Sequence, residues 1–182
     1  MAEKLSFDLT LYPNPLLRRP CPRVERFGAE LRSIVEAMFE CMTAAKGVGL
    51  AAPQVGLRQR LLILNPTGEP GDALTLVNPV IVERSGPDVA FEEGCLSFPG
   101  IYAEVVRPER CRVEASDVEG QPINLETEGF VSRIIQHEHD HLEGVLLVDR
   151  MSAADKHRHK AALEELVARH KRATAAAARG PR

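Results

Sequence analysis

Between positions 31 and 42 the large apolar residues Leu31, Ile34, Val35, Met38, Phe39 and Met42 follow the i, i+3, i+4, i+7, i+8, i+11 series of one helix face. The spacing predicts an amphipathic N-terminal helix that packs as core and ends at Lys46-Gly47, a cation followed by a terminating glycine. Ahead of it, Pro13, Pro15, Pro20 and Pro22 make the first 25 residues an extended arm. Beyond it come short runs rich in Val, Ile and Leu at 61–64, 74–82, 103–106, 111–117 and 123–127, separated by Pro, Gly, Asn and Asp. Such separators favour antiparallel connections over helical crossovers. Helical character returns from Gly129 to about Glu143, with Gly144 as a stop, and Ser152-Ala153-Ala154-Asp155 has the form of a capping box that opens a third helix. The expected class is α+β in one domain, with a body over 1–152 and a helical tail over 153–182.

Composition changes this picture only at the edges. The chain of 182 residues is 44% hydrophobic and 27% charged, ordinary for a globular protein, and its 4% aromatics make the core aliphatic. No run approaches the roughly 18 apolar residues of a membrane span. The start, MAEKLSFDLTLYPNP, lacks the basic-then-apolar order of an export signal, so a cytoplasmic location is expected. The tail holds eight Lys/Arg against three Asp/Glu in a chain whose net charge is −3, so a basic segment follows an acidic body. Four cysteines, at 21, 41, 95 and 111, form no CxxC pair and give no sign of a disulfide framework.

The sharpest local signal is His137-Glu138-His139-Asp140-His141, an HExxH pattern inside a predicted helix. One helical turn separates His137 from His141, so both imidazoles share a face and can bind one metal ion, with Glu138 beside them to accept a proton from water. Phe130 and Ile134 precede them on the same stripe, which turns that face inward, whereas His139 is expected at the surface. Two histidines leave the coordination shell incomplete. Cys95, in Glu92-Glu93-Gly94-Cys95-Leu96-Ser97, offers a soft third ligand and leaves one position open, the pattern of a catalytic site.

Three segments together, Gly47-Val48-Gly49-Leu50-Ala51-Ala52-Pro53-Gln54-Val55-Gly56, Glu93-Gly94-Cys95-Leu96-Ser97 and Gln136-His137-Glu138-His139-Asp140-His141-Leu142, resemble the peptide deformylase family in order and separation. The resemblance covers about four-fifths of the chain. It implies antiparallel β-sheets packed around a central HExxH-bearing helix, and removal of the formyl group from the N-terminal formylmethionine of nascent polypeptides, releasing formate. It implies one divalent metal ion, Fe(II) in the cell with Zn, Ni or Co able to substitute, on Cys95, His137 and His141. Glu138 would be the general acid/base, and Gln54 with the backbone N–H of Leu96 would hold the developing oxyanion. Gly47, Val48 and Gly49 would take the substrate backbone, and Phe130 and Ile134 with Val48 would line the methionine pocket. Arg107 would pair with Asp140. Tyr102 stands where some family members carry an arginine. Ribosome contact through Lys156, Arg158, Lys160, Arg169, Lys171 and Arg172 is a further reading, and no membrane or DNA partner is expected. Three alternatives stay open on sequence alone: an HExxH metallopeptidase, a non-catalytic metal- or ribosome-binding relative, and deformylation of an unusual substrate.

Overall fold

The longest element of the protein is a two-stranded ribbon. In the computed structural model, which describes residues 5–178, strand β3 (Leu74–Gly94) runs antiparallel to β4 (Tyr102–Ser116) over nearly its whole length. Strands β1 (Gly49–Ala51), β2 (Leu61–Leu64) and β5 (Pro122–Glu128) complete one antiparallel sheet in the order β1-β2-β3-β4-β5. It is one continuous sheet in which two long strands, β3 and β4, carry three shorter ones, rather than several separate sheets. The run expected at 74–82 continues to Gly94, past Ser85-Gly86-Pro87. The ladder absorbs that tripeptide as a bulge, with Gly86 at φ +80° and a register shift between Ser85 and Asp88. Pro108, opposite Asp88, likewise lies within β4, joining the two runs read as separate strands.

Helix α1 (Ala29–Ala44) buries Leu31, Val35, Met38 and Met42 against Leu50, Leu61, Ile63 and Val77 of the sheet. Its terminus departs from the expectation: Lys46, not Gly47, takes the left-handed conformation (φ 57°). Gly47 is small for another reason, since a Cβ there would stand 2.7 Å from the Leu96 side chain. Helix α2 (Gly129–Leu142) lies against the other face, with Ile134, Ile135 and Leu142 packed on Leu62, Leu64, Leu76 and Val113. Residues 132–142 are all buried, so this helix is surrounded despite its polar sequence. It ends at Gly144 (φ 75°), where any side chain would meet the Arg18 carbonyl oxygen at 2.5 Å.

A third apolar cluster joins Leu17, Phe98, Ile101, Ala103 and Val105 to Leu146, Leu147 and Met151, with Leu166 from the tail. The tail begins at Ser152, whose Oγ accepts from the Asp155 N–H at 3.0 Å, but it is two helices, α4 (Ala153–Arg158) and α5 (Lys160–Ala178), after a short α3 (Leu147–Arg150). Residues 179–182, the end of the predicted basic tail, lie outside the described residues. No helix of the described residues is long and apolar enough to cross a membrane.

Candidate active site

The turn after β3 brings Cys95 onto α2. The Cys95 Sγ lies 3.2 Å from His141 Nε2, and one ligand atom from each of Cys95, His137 and His141 lies within 4.8 Å of the others. The two imidazoles, one turn apart, stand with centroids 5.2 Å apart and edges crossed. His137 Nδ1 is held 2.9 Å from Glu93 Oε2, which leaves Nε2 for the cluster. A thiol and two imidazoles converging this closely, with no other protein ligand joining them among the described residues, match the donor set of a transition-metal site with an open position.

The two imidazoles are shifted in opposite directions. Burial lowers both imidazoles, but hydrogen bonds from His137 to Cys95 and Glu93 outweigh it and raise His137 well above its ordinary value. His141 is left well below, by burial first and then by the positive charge of His137. The Glu138 carboxyl is 4% exposed, and its Oε2 has no hydrogen-bond partner among the described residues. Burial pushes its pKa up to about 7, with His137 opposing and Glu93 assisting. A carboxyl so placed can hold or release a proton near neutral pH.

Gln54 approaches from the other side. The Ala51 N–H donates to its Oε1 at 2.8 Å, and an N–H can bond only the amide oxygen, so the NH₂ group faces the site. Its Nε2 lies 3.5 Å from Cys95 Sγ and 3.4 Å from Ser97 Oγ. Leu96 follows the cysteine, with its side chain over Gly47. Gly49 has a packing duty that the sequence reading assigned to substrate approach. A Cβ there would stand 2.6 Å from both Glu138 Oε1 and Ile134 Cγ2. The bare glycine thus makes room for the catalytic candidate itself. Gly49→Ala is expected to displace Glu138 and to cost about 1–3 kcal/mol by overpacking. A lowered melting temperature with the metal content retained would show it.

Around these groups lies a cleft of about 670 Å³, lined among others by Gly47, Val48, Gly49, Phe91, Tyr102, Phe130 and Ile134 as well as Cys95, His137 and Glu138. Ile134 is buried at its base, and Val48 and Phe130 are half exposed at its walls.

Three features were not read from the sequence. Glu93 is the hub behind the site: its carboxylate accepts from Arg107 at 2.7 and 3.0 Å and from Arg133 at 3.0 Å as well as meeting His137. Burial would raise its pKa, yet the bonds from His137 and Arg107 hold it at about 2. Strand alternation, which sends Glu92 out and Glu93 in, would have found it had β3 been extended to Gly94. Next, Arg107 also donates to Asp140 at 2.8 Å, the expected pair, but Asp140 is shared with Arg150 at 2.6 and 3.0 Å. Finally, His139 is not at the surface. It is 8% exposed and packs on Arg60 at 3.1 Å, because the β2–β3 side of the body covers the face of α2 that looked outward. Burial and Arg60 lower its pKa to about 4, which keeps the ring neutral.

A helix-borne cluster of residues that could hold a metal ion, with a carboxyl beside it in a cleft, fits a hydrolase-like class of site. The comparisons narrow the class. The family model for polypeptide deformylase matches residues 7–157, and the chain belongs to that family. It is 50% identical over 143 residues to peptide deformylase 1B, chloroplastic/mitochondrial, of Arabidopsis thaliana, covering 78% of this chain and 52% of that protein. It is 44% identical over 154 residues to the peptide deformylase of Chromobacterium violaceum, covering 85% and 92%. A crystal structure of a plant peptide deformylase of the 1B type superposes with a TM-score of 0.91 at 42% identity, over 96% of each chain. The chain spans about half the length of the plant relatives and nearly all of the bacterial one.

Proposed function

We propose that this chain hydrolyses the formyl amide of N-terminal formylmethionine on nascent polypeptides, releasing formate. The observation that carries the proposal is the convergence of Cys95, His137 and His141 beside a buried Glu138, one of whose oxygens has no partner among the described residues, in the same cleft. The three donors would hold one divalent ion, Fe(II) in the cell with Zn, Ni or Co able to replace it. That ion would supply Lewis acidity to the formyl oxygen and to water.

The residues divide the remaining work. Glu138 takes the proton of the attacking water and returns it to the departing amine, and its raised pKa suits both steps. The Gln54 amide, fixed by Ala51, presents its N–H to the oxygen on which charge gathers, and the Leu96 backbone amide is the second donor. Val48, Phe130 and Ile134 receive the methionine side chain, and Gly47, Val48 and Gly49 take the substrate backbone. Glu93 positions His137 through Nδ1. The resemblance also supports residues 1–152 as the catalytic body in a bacterial-type cytoplasm. The exposed Lys156, Arg158, Lys160, Arg169, Lys171 and Arg172 of the 153–182 tail support contact with ribosomal phosphates.

Incubation of the Fe(II)-loaded protein, kept anaerobic, with formyl-Met-Ala-Ser should yield formate and free Met-Ala-Ser, with no cut at the internal bonds. Internal cleavage would establish the metallopeptidase reading instead, and no product despite a bound metal would favour a binding role.

A further inference from the structure

The extended arm ahead of α1 has no task in the proposed chemistry, yet it touches both sides of the site. The Thr10 N–H donates to the Gln54 carbonyl oxygen at 2.7 Å. Two residues further on, the Tyr12 N–H donates to the Ser97 carbonyl oxygen at 3.0 Å. Side chains follow the same division. Leu9 packs in the apolar cluster that includes Ala52, Val55 and Leu96, and it lines the cleft. The Tyr12 ring stacks on the fully buried Phe98, with centroids 4.8 Å and planes 24° apart. The arm therefore bridges two turns that are distant in the sequence, Ala52–Val55 and 95–98.

Those turns deliver the two groups proposed for the oxyanion, the Gln54 side-chain amide and the backbone N–H of Leu96, the residue before Ser97. Two such donors act together only if both come within about 2.7–3.1 Å of one oxygen, so their separation matters as much as their presence. Side-chain contacts between the turns are long: Gln54 Nε2 lies 3.5 Å from Cys95 Sγ and 3.4 Å from Ser97 Oγ. An amide that must turn its N–H towards an incoming oxygen cannot also spend it on holding the turns together. The main chain of the arm can. Two residues of chain reach at most about 7 Å, so the Gln54 and Ser97 carbonyls cannot drift apart while both bonds hold. Gln54 is thereby fixed at both ends, at its side chain by the Ala51 N–H and at its backbone by Thr10.

We infer that the segment Thr10–Tyr12 is a positioning strap that sets the separation of the Gln54 and Leu96 donors. The inference rests on the proposed deformylation, in which those donors meet the developing oxyanion.

The test measures kcat and KM for formyl-Met-Ala-Ser with the Fe(II)-loaded full chain, and Tm and metal content for each variant. Thr10→Pro removes the N–H that meets Gln54, and Tyr12→Ala removes the ring that seats the arm on Phe98. Each should lower kcat by about tenfold and leave KM within about twofold, because the alignment lost matters only as charge develops. Phe7→Ala, in the same arm but packed on the α1 cluster, should lower Tm while kcat stays within about twofold of wild type. In a Gln54→Ala background no pair of donors is left to align, so either strap variant should lower kcat by less than about twofold more. Unchanged kcat in Tyr12→Ala, or losses that multiply in full with that of Gln54→Ala, would overturn the inference and leave deformylation standing. Should Thr10→Pro fail to fold, Tyr12→Ala alone decides. No formate from wild type would overturn the deformylase reading and this inference with it.

Discussion

Glu138→Ala is expected to lower formate release by about 10²–10⁴-fold while the protein keeps its metal and its fold. The carboxyl is buried, lines the cleft, and holds one oxygen without a partner. Such an oxygen is costly unless it serves a proton that arrives with the reaction. Glu138 lies outside the donor cluster of Cys95, His137 and His141, so its loss removes a proton carrier and no ligand. Glu138→Gln should be nearly as inactive, because an amide of the same shape cannot exchange the proton. Full activity in either variant, with the metal content measured alongside, would remove Glu138 from the chemistry.

The second large effect is on stability. Glu93→Ala should destabilise the protein by about 3–5 kcal/mol, because it strands Arg133 and half of Arg107 as buried charges. For a chain of this size that is a fall of about 10 °C in Tm. Metal affinity should weaken by about 10–100-fold, since His137 loses the carboxylate that orients it. The pH dependence has a definite sign. The Glu93 pKa is lowered from 4.5 to about 2 in the folded protein, so its stabilisation is complete above pH 4.5 and is lost as the pH falls towards 2. The stability gap between wild type and Glu93→Ala, measured by denaturant titration, should therefore narrow across that window. A gap that is constant from pH 6 to 2 would show that the carboxylate charge is not what stabilises the hub.

The parts of the molecule that were legible in advance are those set by local spacing. The i, i+4 histidines and the amphipathic face of α1 follow from helix geometry alone, and Ser152 with Asp155 from cap chemistry. The parts that were not legible depend on what lies across space. Ser85-Gly86-Pro87 breaks a strand in isolation, but a long partner strand converts the break into a bulge. His139 faces away from its neighbouring histidines, and only tertiary packing covers that second face. The glycine at 49 reads as room for the substrate backbone until Glu138, 89 positions later, is seen to need its space. Glu93 carries no role in the sequence until strand alternation turns it inward and Glu92 outward.

The central claim is that one divalent ion on Cys95, His137 and His141 carries the deformylation. Anaerobic titration of metal-free protein with Fe(II), following formate release from formyl-Met-Ala-Ser after each addition, tests it directly. The expected result is activity that rises linearly and breaks at one ion per chain, with Cys95→Ala showing neither the rise nor the break. Formate release independent of added metal, or an unchanged titration in Cys95→Ala, would contradict the account.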